Sequence, residues 1–220
     1  MKNKLILLII YFLLLCNQSY ADQYEFYARD LNASYSNNTI KANKGTAISK
    51  NKNLKIEGSS FEYNKNLNFL KVSKGKIFEK INNLEIIFDD LEVDGKKLSL
   101  IANGNVKIFD KENKLIFETE SIELDRLNNV LTSSTKSLIK DTDNNLFEVD
   151  KFVYKIKNNI LKIKNVSFKD SNNNKLFIES AFINTKTSKL IGKDAEINLN
   201  NVSFKKNNEP RMKGVKISYD

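Results

Sequence analysis

Apolar and polar residues alternate along most of the chain after the first 21 residues. The alternation is clear in Tyr24-x-Phe26-x-Ala28, in Leu115-x-Phe117 and in Phe152-x-Tyr154-x-Ile156. A period of two places successive side chains on opposite faces of an extended chain, so these runs predict half-buried β-strands. No later stretch has the period of a helix, and the pattern therefore predicts an all-β protein.

Short polar clusters, most of them rich in Asn, separate the alternating runs. Asn tolerates the left-handed backbone conformation and bonds to its own backbone, so these clusters predict turns. From Asn128 onward they recur at intervals of roughly 15 residues, which leaves strands of about ten residues. Long strands that are joined by short turns predict an antiparallel meander.

A longer repeat of about 30 residues is superimposed on this pattern. The copies of this repeat are Ile40–Gly45, Leu70–Gly75, Leu100–Gly104, Val130–Ser134, Leu161–Asn165 and Leu190–Asp194. A repeat of this length fits two strands with their turns, stacked so that each unit covers the apolar face of the next. The copies extend over nearly all of residues 22–220, which predicts one domain without an internal boundary.

The first 21 residues have the pattern of a secretory signal peptide. Two lysines precede an unbroken apolar run from Leu5 to Leu15, and small residues follow at Ser19 and Ala21. We expect cleavage between Ala21 and Asp22. A retained membrane anchor is the alternative, but this apolar run is shorter than the roughly 20 residues that cross a bilayer.

The composition argues against an enzyme. The chain has no His, and its one Cys, Cys16, lies inside the predicted signal peptide. These absences exclude Ser-His-Asp and Cys-His catalysis, and also a metal site built from Cys or His. The segment Asp141-Thr-Asp143 lacks the Gly and the closing Glu of a calcium loop, so it indicates a solvated turn. The sequence therefore predicts no catalytic residues, no metal and no cofactor.

The chain is basic, with 36 Lys and Arg residues against 27 Asp and Glu residues and a formal net charge of +9. Because an exported protein is separated from the nucleic acids of the cell, we expect no nucleic-acid partner. A basic exported protein can bind an anionic lipid or the outer-membrane surface. Alternatively, the charges are simply solvated strand residues, since almost all of them are Lys, which lacks the bidentate fork of Arg.

Nine aromatic residues are candidates for the inward face of the sheet. They are Phe61, Tyr63, Phe69, Phe88, Phe117, Phe152, Tyr154, Phe168 and Phe182. Two interpretations remain open for them. They can form a closed, packed core, or they can line an apolar groove that is open along one side and suited to acyl chains.

The order of these features is similar to that of a known family. The segments Ile40–Ile48 and Leu100–Ile108 resemble the A-x-G-x-V strand repeats of the OstA-like family of lipopolysaccharide transport and assembly proteins. The segment Asn208–Gly214, which reads N-E-P-R-M-K-G, resembles the passage from the N-terminal periplasmic domain into the barrel in outer-membrane assembly proteins of the alphaproteobacterial LptD type. The resemblance covers residues 22–220, of which residues 207–220 correspond to a junction-like tail.

The resemblance implies a twisted antiparallel β-jellyroll in the periplasm, associated with the outer membrane. Such a module carries the acyl chains of lipopolysaccharide in its interior without catalysis. It docks edge to edge with other jellyroll proteins of the transport bridge, and a β-barrel is implied as a partner or as a missing portion of the chain. The candidate docking residues, on the first strand and near Ala195 to Phe204, are Tyr24, Phe26, Ala28, Ile197, Leu199, Val202 and Phe204.

A secreted structural or adhesive β-solenoid is the alternative function. The 30-residue period, the Asn-rich turns and the lack of a catalytic constellation fit such a protein as well. Its interior would be filled and dry, and it would fractionate with the cell surface or the medium. A lipid-transport module would stay with the periplasm and the envelope.

Overall fold

The described part of the chain consists of strands, turns and one short 3-10 helix. The computed structural model describes residues 23–34, 36–141, 145–169, 174–199 and 211–219. The strands are β1 (Tyr24–Ser34), β2 (Thr39–Ser49), β3 (Leu54–Asn64), β4 (Phe69–Glu79), β5 (Leu84–Asp94), β6 (Ser99–Asp110), β7 (Leu115–Asp125), β8 (Val130–Ser133), β9 (Ser137–Lys140), β10 (Leu146–Val149), β11 (Lys151–Lys155), β12 (Ile160–Lys169), β13 (Lys175–Asn184), β14 (Leu190–Asn198) and β15 (Arg211–Tyr219). The 3-10 helix, Ile156–Asn158, follows β11. All fifteen strands belong to one antiparallel sheet, so the predicted all-β fold class is confirmed.

Outside the segment from β8 to β11, strands that follow one another in the chain are neighbours in the sheet. β8 and β9 lie end to end in one position of the sheet, between β7 on one side and the end-to-end pair β10 and β11 on the other. β12 then pairs with both β10 and β11. Within the described residues, β1 and β15 are the two strands that pair on one side only. The sheet therefore has two edges, one near each end of the chain.

Polar side chains at the ends of strands cap the turns that follow. Asp94 Oδ1 accepts hydrogen bonds of 3.0 Å from the backbone N–H groups of Lys96 and Lys97. Asp125 Oδ1 accepts a bond of 2.9 Å from the N–H of Asn128. Several of these turns close on an Asn with a positive φ angle, as at Asn38, Asn68, Asn83, Asn129 and Asn159. The Asn-rich clusters therefore have the turn function that the sequence predicts.

Alternate long strands contain a left-handed residue near their midpoint. These residues are Lys44, Lys74, Asn105, Asn165 and Asp194. The inward face of the strand changes there: in β4, Leu70 and Val72 are buried before Lys74. After it, Ile77 and Glu79 are buried instead. The strand pairing aligns these midpoints across the sheet in a line that we call the crease.

The 30-residue repeat of the sequence ends at the crease. Gly45 and Gly75 directly follow two of the left-handed residues and pair with Gly58 on the strand between them. A Cβ atom on Gly75 would overlap the backbone carbonyl of Glu57, so a Gly is required for this close approach. In five of its six copies the repeat marks a strand that bends through a left-handed residue, whereas the copy Val130–Ser134 covers the short strand β8.

The crease folds the sheet into two layers that face each other. The first layer includes residues 24–28 of β1 and 45–49 of β2, and the second includes residues 30–34 and 39–43 of the same strands. The rings of Tyr24 and Tyr63 lie 5.3 Å apart although β2 separates their strands within the sheet. Only layers that face each other bring these rings together. One antiparallel sheet wound into two layers is the β-jellyroll that the sequence predicts.

The two ends of the chain differ in how far the structure describes them. The predicted signal peptide and its cleavage site between Ala21 and Asp22 lie outside the described residues. At the other end, residues 211–219 of the predicted junction-like tail form β15, which pairs with β14 along its length. In the ranges that are described, no helix is long and apolar enough to cross a bilayer.

Candidate functional site: the interior between the two layers

The interior between the two layers is lined by apolar side chains from β1 to β15. Most of the aromatic candidates lie in it, and those that are buried in the apolar cluster are Phe61, Tyr63, Phe88, Phe117, Phe152 and Tyr154. Phe168 is half-buried, and its ring stacks on that of Phe147 at 5.2 Å. These side chains have the inward orientation that the alternation predicts. Their role in binding a lipid stays a prediction.

Phe69 and Phe182 face the outside of the sheet, so the prediction that they point inward is wrong. Phe69 precedes the buried Leu70 and packs under Lys71, whose Nζ lies 5.6 Å from the ring centre. Phe182 follows the buried Ala181, is 47% exposed and packs under Lys162 at 5.3 Å. In both strands the inward positions are occupied by smaller residues, Leu70 and Ala181, so an aromatic side chain does not by itself mark the inward face.

The centre of the interior is closed. Phe117 in the first layer and Phe152 in the second are 0% and 1% exposed, and their ring centres are 5.0 Å apart. The ring of Tyr154, which like Phe152 belongs to the second layer, stacks on Phe117 at 5.7 Å. Aromatic pairs at these distances attract each other, which adds to the free energy gained by burying their surface. The two layers therefore pack directly on each other at β7 and β11, without a gap between them.

The interior opens at its N-terminal end. Leu31 pairs with Ala42, which pairs with Phe61, so all three side chains share the inward face. Ala42 and Phe61 are buried, whereas Leu31 is 50% exposed because none of the described strands pairs with the outer edge of β1. Opposite Leu31, the half-buried Phe26 contacts Phe61 edge-on at 6.0 Å. We call this opening the N-terminal mouth.

The interior also opens at its C-terminal end. Met212 pairs with Ile197, and Ile217 pairs with Gly192, which places Met212 and Ile217 on the inward faces of the two layers. Met212 is 52% exposed and Ile217 is half-buried against the core. A Cβ on Gly192 in the second layer would press against Ile178 of the first layer, so the layers approach closely here. This C-terminal mouth adjoins β15, as the N-terminal mouth adjoins β1.

The edges of the sheet lie partly where the sequence predicts them. Tyr24, Phe26 and Ala28 belong to β1, which is an edge strand in the described structure. The prediction that the last strand extends from Ala195 to Phe204 is wrong, because β14 ends at Asn198 and pairs with β15 as well as with β13. Ile197 therefore lies one strand inside the edge, and Leu199 directly follows that strand. The remaining docking candidates, Val202 and Phe204, lie outside the described residues.

A polar contact joins the two layers at the lip, the long side of the interior opposite the crease. The hydroxyl of Tyr154 donates a hydrogen bond of 2.6 Å to Asp110 Oδ2. Asn113 Nδ2 donates to the same hydroxyl at 2.8 Å. Burial, followed by the bond to Asp110, raises the pKa of Tyr154 well above its ordinary value. Tyr154 therefore stays protonated at neutral pH and serves as the donor that holds the lip closed.

A cluster of buried hydroxyl groups lies where β8 gives way to β9. Thr119 Oγ1 is 2.9 Å from Ser133 Oγ and 2.8 Å from Thr135 Oγ1. Ser137 Oγ donates to Thr119 Oγ1 at 3.0 Å. The groups satisfy one another, so the cluster is a closed polar network inside an apolar interior. The alternation of apolar and polar residues does not predict this cluster, although the hydroxyl-rich run from Thr132 to Ser137 is a local signal.

The outer surface of the first layer has an open concavity of about 690 Å³ beside the crease. Charged side chains line it, among them Lys107 and Glu118, which form an ion pair of 2.6 Å. No group of His, Cys, Asp and Glu side chains in the described ranges is arranged to hold a metal ion. The concavity is open and most of the residues that line it are charged or polar, which makes the apolar interior the better candidate for a lipid site.

Comparison with known proteins gives the chain a structural neighbour. No protein-family model matches the sequence. No curated protein matches it either. Among solved structures, the chain is similar to LptH, which is described as the LptA homologous periplasmic component of the conserved lipopolysaccharide transport device from Pseudomonas aeruginosa. The two are 13% identical, the match covers 60% of this chain and 94% of LptH, and the TM-score is 0.44.

Proposed function

We propose that the chain is a non-enzymatic periplasmic module that carries lipopolysaccharide towards the outer membrane. The observation that carries the proposal is the apolar interior, which extends from the mouth beside β1 to the mouth beside β15. The resemblance of the repeats to the OstA-like family supports the same function. An acyl chain in this interior would replace contact with water by contact with apolar side chains, which is favourable by about 0.8 kcal/mol per CH₂ group.

Passage of a chain requires the two layers to separate at their closed centre. Phe117 and Phe152 lie there, and the bond between Tyr154 and Asp110 spans the lip nearby. Acyl chains entering between the layers would take over the contacts that the two rings now make with each other. In this proposal the interior is a core in the absence of lipid and a groove in its presence.

Docking to other jellyroll proteins would use the two edge strands. An edge strand presents unpaired N–H and C=O groups, which can pair with the edge of a second sheet. Each edge of this sheet adjoins a mouth at which inward apolar residues, such as Leu31 and Met212, are half exposed. Pairing between edges would therefore cover these residues and join one interior to the next.

Photo-crosslinking in growing cells tests the proposal. A photoreactive residue would replace Leu31 at one mouth and Ile217 at the other, and lipopolysaccharide would be detected in the crosslinked bands. The matched controls are Asn32 and Lys213, which lie on the same strands and point outward. We expect adducts at the inward positions and not at the controls. Equal labelling of inward and outward positions, or none at either mouth, would contradict a lipid-carrying interior.

The closed centre favours a second candidate, the structural or adhesive β-solenoid. Phe117 and Phe152 pack as in a dry core, which is what such a protein requires. Photoreactive residues at these two positions would distinguish the candidates. Lipopolysaccharide adducts at the centre favour transport, whereas a folded protein that yields none and fractionates with the cell surface or the medium favours the structural function.

A further inference from the structure

The outer face of the second layer is basic at its C-terminal end. Its outward side chains on β11, β12, β14 and β15 include many lysines, and three large apolar residues stand among them. We call this surface the basic face, and its residues are Lys151, Val153, Lys155, Lys162, Lys164, Phe182, Ile191, Lys193 and Lys216. All of them are exposed.

The strand pairing arranges all of these residues except Lys155 in two adjacent rows. Lys151 pairs with Lys164, and Lys193 pairs with Lys216, with Ser180 between the two pairs. In the next row, Phe182 pairs with Lys162 on one side and with Ile191 on the other. Phe182 and Ile191 are 47% and 54% exposed. The lysines thus form a line, and the apolar side chains project beside it from the same surface.

The charges of this face are not balanced. On the outward positions of β11 to β15 in the second layer, the described residues include no Asp or Glu. Lys193 pairs with Asp194 at 3.2 Å and is also attracted by Glu179, but both carboxylates lie at the crease. The N-terminal part of the same layer is different, because Lys41 pairs with Glu62 and Lys71 pairs with Glu92 across neighbouring strands.

The neighbouring turns extend the positive surface. Lys157 in the 3-10 helix, and Lys186 and Lys189 between β13 and β14, lie at the end of this layer and are exposed. A sheet presents these groups on one surface, where their charges act together on any partner that approaches. Phe182 and Ile191 are adjacent and both exposed, and contiguous exposed apolar area is typical of an interaction site.

We propose that the basic face binds the surface of an anionic lipid bilayer. Lysines near an anionic membrane attract it electrostatically, and apolar side chains between them insert at the headgroup level. A single row of point charges with Phe182 and Ile191 beside it fits this partner better than a nucleic acid. Recognition of a nucleic acid favours Arg, which this face lacks.

This lipid contact is distinct from the one in the proposed function. It lies on the outside of the second layer, whereas the proposed lipopolysaccharide site lies between the layers. It would hold the module against a membrane while the interior and the edges remain accessible. A protein that does not bind vesicles can therefore still crosslink to lipopolysaccharide at Leu31. A protein that does not crosslink there can still bind vesicles, so the two proposals fail independently.

Co-sedimentation of the purified protein with lipid vesicles tests this inference. The vesicles contain phosphatidylcholine alone or phosphatidylcholine mixed with phosphatidylglycerol. We expect binding only when phosphatidylglycerol is present, and weaker binding at higher salt. The combined variant Lys151→Gln, Lys164→Gln and Lys216→Gln should weaken that binding on the order of 100-fold, since each lysine near an anionic surface contributes about tenfold or less.

The matched control removes the same charge from the other end of the same layer. The combined variant Lys41→Gln, Lys65→Gln and Lys71→Gln should change vesicle binding by less than about threefold, because these side chains lie outside the basic face. Equal losses in the two triple variants would show a response to net charge alone and would overturn the inference. Failure of the unaltered protein to bind the anionic vesicles would overturn it as well.

The apolar residues of the basic face distinguish binding to a membrane from binding to a soluble polyanion. Phe182→Ser with Ile191→Ser should weaken vesicle binding about tenfold or more, since two large side chains no longer enter the bilayer. The control is Leu67→Ser with Ile81→Ser, two exposed apolar residues in turns elsewhere. If the first pair leaves vesicle binding unchanged while heparin competes fully, the face binds polyanions and the membrane assignment is wrong.

Discussion

The hydroxyl of Tyr154 in the second layer donates a hydrogen bond of 2.6 Å to the carboxylate of Asp110 in the first. The two residues are 44 positions apart in the chain. Asp110 also accepts bonds from the backbone N–H groups of Glu112 and Asn113, so one side chain caps its own turn and joins the layers. Because both residues are largely buried at the lip, the stability of the closed state depends on this contact.

Replacement of Tyr154 by Phe should destabilise the closed jellyroll. The change keeps the ring on Phe117 but removes the donor to a buried carboxylate, which costs about 1.5–3 kcal/mol for a bond to a charged group. Urea unfolding followed by circular dichroism measures the loss. Tyr27→Phe is the control, because Tyr27 is exposed and its bond to Glu25 lies on the surface. A loss for Tyr154→Phe no larger than that of the control would show that the contact does not hold the lip.

The same tyrosine should make stability depend on alkaline pH. Folding raises the pKa of Tyr154, first through burial and then through the bond to Asp110, so the folded state retains a proton that the unfolded state releases. Its contribution is fully present below the ordinary tyrosine pKa of about 10 and is lost as the pH rises further. Unfolding of the unaltered protein and of Tyr154→Phe should be compared between about pH 8 and about pH 11. The difference between their free energies of unfolding should shrink over this interval. A constant difference would contradict a raised pKa of Tyr154 in the folded state.

Gly75 should not tolerate a side chain. A methyl group there would overlap the carbonyl of Glu57 at the crease, so Gly75→Ala should cost at least about 2 kcal/mol. Gly214 is the matched control, because its added Cβ would meet its nearest neighbour, Ile217, at 3.4 Å. Gly214→Ala should change the free energy of unfolding by less than about 0.5 kcal/mol. Equal effects of the two substitutions, measured by thermal or urea unfolding, would exclude close packing at the crease.

The inward and outward assignments of the phenylalanines can be separated by stability. Phe117→Ala should cost about 3–5 kcal/mol, because the ring is fully buried and its loss leaves a cavity. Phe182→Ala should cost at most about 1 kcal/mol, because that ring stands on the outer surface. Urea unfolding of both variants measures the difference. A larger loss for Phe182 than for Phe117 would reverse the assignment of the two faces.

Edge-to-edge association through β1 should be weakened by a charge on the inward face of this strand and not by a charge on its outward face. Ala33 and Asn32 are neighbours on β1, both exposed, with Ala33 inward and Asn32 outward. Ala33→Lys should weaken edge-to-edge association at least tenfold, because an inward charge would be buried where two interiors join. Asn32→Lys carries the same charge and should have little effect. Sedimentation velocity over a range of concentrations measures association, and equal behaviour of the two variants would argue against docking through this edge.

Local sequence pattern predicted the strands and turns because both depend on neighbouring residues. Alternation of apolar and polar residues determines which side chains of a strand can be buried together, and Asn and Asp side chains determine where the backbone turns. The interval of 15 residues and its double, 30 residues, are visible in the printed sequence for the same reason. The inward positions of Phe61, Phe117 and Phe152 follow directly from this pattern.

The phase of each strand across the crease is not a local property. At a left-handed residue such as Lys74, the inward side of the strand changes in mid-strand. The residue type does not predict this position, because Lys, Asn and Asp all occupy it. The aromatic character of Phe69 and Phe182 therefore does not predict their orientation, and their smaller neighbours fill the interior. The bond between Tyr154 and Asp110, the closed centre at Phe117 and the exposed mouths arise from packing between layers. Contacts between strands that are far apart in the chain determine them, and alternation along a single strand carries no information about such contacts.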